Sequence, residues 1–145
     1  MSSYHKVTTD IRDQASLVAG LGAMGYADVE SHAEAVELHN HWGKDHGVSK
    51  AEVVIRVKAL QAKHAGRSSV SDVGFKRQAD GTFALEANDM DRSIFDKSWL
   101  GRVKVAVGTA KTMKMARMQY GCAKPIITHK MIGGRPKTLV KYVVP

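Results

Sequence analysis

Residues 72–87, "DVGFKRQADGTFALEA", constrain the fold more than any other stretch of the chain. Two runs of alternating apolar residues flank Asp80-Gly81, a dipeptide suited to a two-residue hairpin turn. Phe75 shares the parity of Val73 and Phe83 that of Leu85, while Lys76 points the other way. The C-terminal stretch "PIITHKMIGGRPKTLVKYVV" repeats this logic, with Gly133-Gly134 as the turn. Its spacing puts Ile127, His129 and Met131 on one face and Ile126, Thr128 and Lys130 on the other. Val140, Tyr142 and Val144 then alternate with Lys137, Leu139 and Lys141.

The remaining segments fit around these hairpins. "SYHKVTTDI" (3–11) reads as a first strand. Asp10 is placed to cap a helix through Met24, with Leu17, Leu21 and Met24 on its apolar side and Gly25 just past its end. Residues 28–40 fit helix and strand equally well. "HWGKDHGVSK" reads as a loop, "AEVVIRVKAL" as a strand with Val53, Ile55 and Val57 on one face, and "AKHAGRSSVS" as a loop. Residues 94–120 form a long helix closed by Gly121, with Asp89 and Asp91 as its caps. The order β-α-β-β-β-β-α-β-β, richer in hairpins than crossovers, predicts an α+β fold. An antiparallel sheet of about five to seven strands carries two helices on one face. At 145 residues the chain is long enough for one domain with its own core.

Charge is the second constraint. The formal net charge is +8, yet no Asp or Glu follows Asp96. Eleven of the 22 Lys and Arg side chains lie in that acid-free segment. The other eleven face all 14 carboxylates in the first 96 residues, a net of −3. Such a field selects an anionic partner. Lys97, Lys104 and Lys111 recur every seven residues along the long helix, with Lys114 beside them. Arg56, Lys58, Lys76, Lys130, Lys137 and Lys141 oppose the apolar strand positions, so a basic sheet face is expected opposite the helices. The "GGRPK" turn adds Arg135. The phosphate-binding candidates are Lys130, Arg135, Lys137 and Lys141, followed by Arg77, Lys111 and Lys114. Trp42, Trp99, Tyr4, Tyr26, Tyr120 and Tyr142 could stack on bases, but none lies in an RNA-recognition motif.

Other motifs carry less. "GLGAMG" matches G-x-G-x-x-G, but a helical period precedes it where a dinucleotide site needs a strand, so it reads as the end of a helix. "HNHWGKDHG" offers His39, His41 and His46, with Asp45, as a metal set lacking a clear fourth ligand. No catalytic constellation and no cofactor motif stands out. Cys122 follows a helix C-terminus, the wrong end of the dipole for thiolate activation. One cysteine, no apolar leader and no apolar run of transmembrane length together predict a cytoplasmic protein. "MKMARM" (Met113, Met115, Met118), on a helix apolar nearly all round, predicts a homo-oligomeric interface and burial on more than one side.

The segments "SYHKVTTDIRDQASLVAGLGAMGY", "AEVVIRVK", "DVGFKRQADGTFAL" and "ARMQYG", in that order, resemble the family catalogued as domain of unknown function 1257. "VVIR" and "DVGFKR..DGTF" are its most specific pieces. The family occurs in cyanobacteria, plastid genomes and tailed phages. The resemblance implies that residues 28–40 are extended, that no known enzyme activity attaches to the chain, and that an adaptor role beside an AAA-type ATPase is open. The chain departs from the family at the start of the long helix, in its wholly basic tail and in the histidine loop, which makes it a divergent member. Residues and resemblance together lead to a non-enzymatic, oligomeric binder of a phosphate-bearing ligand. That ligand is a nucleotide or nucleotide-derived signal, sequestered as a counter-defence sponge if the source is a phage. The alternatives are the ATPase adaptor and a nucleic-acid-binding protein.

Overall fold

The computed structural model describes residues 4–40, 43–44, 49–64, 71–120 and 126–141. The architecture is α+β. β1 (Tyr4–Thr8), β2 (Glu30–Glu37), β5 (Lys50–Ile55), β6 (Val73–Arg77) and β7 (Phe83–Asn88) build one sheet in the order β1-β7-β6-β5-β2. Every neighbouring pair is antiparallel. β3 (His39–Asn40) and β4 (Gly43–Lys44) make a minimal ribbon, and β8 (Ile126–Ile132) and β9 (Arg135–Lys141) a separate hairpin. The helices are α1 (Gln14–Ala23), α2 (Val57–Lys63) and α3 (Lys97–Tyr120).

α1 and α3 lie together on one face of the sheet. Leu17 and Leu21 from α1 and Trp99, Leu100, Val103 and Val107 from α3 share one core with the inward strand residues Val53, Ile55, Phe75, Phe83 and Leu85. Cross-strand register aligns Val53, Phe75 and Leu85 in a row beneath the helices. α1 and α3 approach closely at Gly20, where a Cβ would come within 2.9 Å of the Val107 nitrogen. On the opposite face Leu38, Ala51 and Val54 form a smaller cluster over Gly74.

Several local expectations shift. The helix does not start after Asp10. Thr9 N–H donates to Phe83 C=O, and the Ile11 carbonyl accepts from Phe83 N–H, so residues 9–11 stay tied to β7 and α1 begins only after Asp13. Residues 28–40 resolve mainly as a strand, with a register break between Ser31 and Val36. The run 51–60 is not one strand. It ends at Ile55, and "VKALQAK", rich in good helix formers, turns into α2, so part of the expected following loop is helical. The β6–β7 turn has three residues rather than two: Gln78 N–H donates to Thr82 C=O, and Gly81 sits at φ +87°.

α3 is capped by Asp96, whose carboxylate accepts the Trp99 N–H at 2.9 Å, not by Asp89 or Asp91. Asp89 binds Arg92 and His5, and Asp91 is buried in the 3₁₀ turn Asp89–Asp91. α3 buries one side only; Val105, Met115 and Met118 are exposed. The expectation of burial on more than one side fails because a two-layer fold leaves its outer helix surface to solvent.

The second hairpin turns at Gly133-Gly134 with both φ angles positive, as the sequence requires. It does not join the main sheet. A ribbon face that gathers Lys130, Arg135, Lys137 and Lys141 cannot be desolvated against an apolar core. The basic sheet face consequently dissolves. Three of its expected members, Lys130, Lys137 and Lys141, stand on the separate hairpin, and Lys58 lies on α2. On the sheet face itself Lys6 pairs across strands with Glu86.

Candidate functional site

Four cationic residues of the C-terminal half meet on the β8–β9 hairpin. Register pairs Lys130 with Lys137, Ile132 with Arg135, Thr128 with Leu139 and Ile126 with Lys141. Directly paired residues share a face, and parity alternates along each strand. Lys130, Arg135, Lys137 and Lys141 therefore occupy one face, interleaved with Thr128 and the aliphatics Ile126, Ile132 and Leu139. These three aliphatics are 53%, 52% and 45% exposed. The other face carries His129, whose Nδ1 lies 3.1 Å from Thr138 Oγ1, and Met131 opposite Pro136. From Arg135 to Lys141 the cations extend over about 20 Å at the usual rise per residue. Lys130 and Lys137, like charges directly opposed, destabilise the ribbon in isolation. A lone two-stranded ribbon is already marginal, so an anion on this face relieves a built-in repulsion.

The other sequence-derived candidates go elsewhere. Arg77 stands at the β6–β7 turn, its guanidinium 4.4 Å from the centroid of the Phe83 ring and donating to the Gly81 carbonyl. That engagement makes it a clamp of the turn, with the side chain exposed. Lys97, Lys104 and Lys111 are exposed along α3, as their spacing predicts. Lys114, also exposed, borders a groove between α1 and α3. His39 is held through its backbone: its N–H donates to Asp72 Oδ2 at 2.8 Å and its carbonyl accepts from Asp72 N–H. His41, Asp45 and His46 lie outside the described residues, as do Trp42, Cys122 and Tyr142. Among the described residues no group of three His, Cys, Asp or Glu side chains could hold a metal ion. No described helix is long and apolar enough to cross a membrane.

"GLGAMG" is the end of α1. Gly25 (φ +99°) and Tyr26 return their N–H groups to Gly22 and Leu21, a Schellman closure, so the glycines serve a helix C-terminus and not a pyrophosphate. Tyr26 and Trp99, two candidates for base stacking, are buried. The indole N–H donates to Tyr26 Oη at 2.8 Å, and Oη lies 2.6 Å from His64 Nε2. Burial pushes the Tyr26 hydroxyl above its ordinary pKa. The cleft beside this triad is bordered by Lys63 and Arg102. Lys63 lies over Gly25, at the negative end of α1, which has no basic residue in its own last turn.

Arg56, expected on a basic face, is neutralised. Its Nε and Nη2 fork onto Glu30 at 2.8 and 3.0 Å, and its Nη1 donates to Asp72 Oδ2 at 2.7 Å. The Arg56 fork holds the Glu30 carboxyl down to about 2, with His32 adding to the effect and burial opposing it. A carboxylate with a depressed folded pKa contributes stability that is fully present above its unfolded value, near 4.5, and is lost as pH falls toward 2. The stability difference between the native protein and Glu30→Gln is therefore expected to be constant above about pH 5 and to shrink between about pH 4.5 and 2. Urea unfolding across that range measures it, and a difference independent of pH contradicts it.

Sequence reasoning found the hairpin cations because alternation is local. It missed the α1–α3 groove, although Ala15, Ala19 and Ala23 at four-residue spacing marked a smooth helix face. Set against known proteins, the chain matches no family model, no curated protein and no solved structure.

Proposed function

We propose that this protein binds nucleic acid, without chemistry of its own, through the phosphate backbone and the cationic face of the β8–β9 hairpin. One observation carries the reading: the register that gathers Lys130, Arg135, Lys137 and Lys141 on a single ribbon face, within a segment free of carboxylates. A two-stranded ribbon fits the major groove of a duplex. The spread of about 20 Å favours a polymer over one nucleotide, whose phosphates sit within a few ångströms of each other. Four cations neutralising four phosphates release counterions, so affinity rests on ionic strength. Thr128 is the one neutral polar side chain on that face, so it positions the protein without reading sequence. Ile126, Ile132 and Leu139 supply apolar contact to sugars.

Fluorescence anisotropy of a labelled duplex and a labelled single strand, titrated at several salt concentrations, tests this. Duplex affinity is expected to fall about 100-fold between 50 and 200 mM salt, with a log–log slope near −4. The double variant Lys130→Glu/Lys137→Glu is expected to lose about 100-fold in affinity and to flatten the slope by about 2. Salt-independent binding, or a double variant that binds as tightly as the native protein, would overturn the proposal. Calorimetry with mono- and cyclic nucleotides is the companion measurement. Tight binding there, with neither polymer bound, assigns the face to a single phosphate-bearing molecule instead.

A further inference from the structure

The outer surface of the helix layer holds a second binding feature, unrelated to the hairpin. α1 and α3 run antiparallel: Gly20 meets Val107, while Asp13, at the start of α1, feels the charge of Lys114 toward the end of α3. Between them lies a groove of about 490 Å³. Its floor is made by small side chains, Ala19 and Ala23 from α1 and Ala106 and Ala110 from α3. One end is walled by Met113 and Met118, and Met118 is 76% exposed. Lys114 and Arg117 border that same end, and no carboxylate lines the groove.

We propose that this groove docks an acidic amphipathic helix of a partner protein. A trough between two antiparallel helices, floored by alanine, admits a third helix at close interaxial distance. α1 is ten residues long, about 15 Å, so the trough accommodates close to three helical turns. Methionine adapts to whatever apolar side chains enter, and thioethers are overused on surfaces of this kind. Charge selects the occupant. Lys114 and Arg117 face the ligand, and all eleven ionisable Lys, Arg, Asp and Glu side chains after Asp96 are cations. The nearest carboxylate, Asp13 at the N-cap of α1, accepts the Ser16 hydroxyl at 2.5 Å and does not line the groove. A second copy docking by the same surface would bring cations against cations, so the homo-oligomer expected from the methionine run is disfavoured at this face.

The probe is a fluorescent helical peptide of about 18 residues, with leucine on an i, i+3, i+4, i+7 stripe and glutamate elsewhere. Its counterpart carries lysine in place of glutamate. The acidic peptide is expected to bind and the lysine peptide not to bind. Filling the floor with Ala19→Trp/Ala110→Trp is expected to weaken the acidic peptide at least tenfold while leaving nucleic-acid affinity unchanged. Should that variant fold poorly by circular dichroism, Lys114→Glu/Arg117→Glu leaves the floor intact and is expected to give the same loss. Equal binding of the two peptides, or equal binding by native and filled protein, overturns the proposal. So does loss of peptide binding in Lys130→Glu/Lys137→Glu, which would trace the attraction to the hairpin. A dimer in sedimentation equilibrium that the filled variant dissociates also overturns it, in favour of a second copy.

Discussion

Asp72→Ala is expected to lower stability by about 3–5 kcal/mol, among the largest effects of any single substitution in this chain. Asp72 is 3% exposed, and its carboxylate serves three donors: the His39 N–H, Arg56 Nη1 and the Val57 N–H. The last is the first N–H of α2, so one side chain both balances a charge and caps a helix. Alanine removes all three partners at once. Two backbone N–H groups are left unsatisfied, and Arg56 keeps only Glu30 and the Glu37 carbonyl. A partly buried charge that loses its closest counter-charge costs far more than the pair contributes in a surface setting. Urea denaturation measures the effect as a shift in midpoint at constant m-value. Asp72→Asn is expected to fall between, because an amide oxygen still accepts while its NH₂ is aimed at donors. A loss below about 1 kcal/mol for alanine would show that the network contributes geometry and little energy.

Trp99→Ala is the second large effect, at about 3–5 kcal/mol. The indole is 1% exposed and stands where the helix layer meets the sheet. It lies over Phe75 with ring centroids 6.2 Å apart and 25° between planes, and meets Phe95 edge-on at 4.9 Å. Truncation leaves a cavity lined by these rings and removes the indole N–H from the Tyr26 hydroxyl, which keeps His64. Trp99→Phe separates the terms. It retains most of the apolar volume and loses the hydrogen bond, so a loss of about 1 kcal/mol is expected. If both substitutions cost the same, the hydrogen bond rather than ring packing dominates at this position. Thermal unfolding followed by near-ultraviolet circular dichroism reads both.

These two positions show where sequence reasoning runs short. Trp99 was legible as an aromatic on the long helix, and its side of that helix could be guessed from period. Its direction, into a ring cluster rather than toward a base, depended on Tyr26 lying 73 positions away. Alternation with the apolar Ile55 and Val57 puts Arg56 on a basic sheet face. Its partners Glu30 and Asp72 stand 26 and 16 residues off, beyond any local pattern. The quoted segments "VVIR" and "DVGFKR" are thus joined in space by the Arg56–Asp72 pair.

The α+β class, the two hairpins and the cationic face of the second were determined by the sequence alone. Period-two alternation, a Gly-Gly turn and a carboxylate-free tail act within a few residues, so they survive without tertiary context. Tertiary structure alone decided that the basic hairpin stands apart from the sheet, that α2 interrupts the run after Ile55, and that α1 and α3 enclose a groove. Each of these turns on whether a side chain is desolvated and by what, and burial is a property of the whole packed chain.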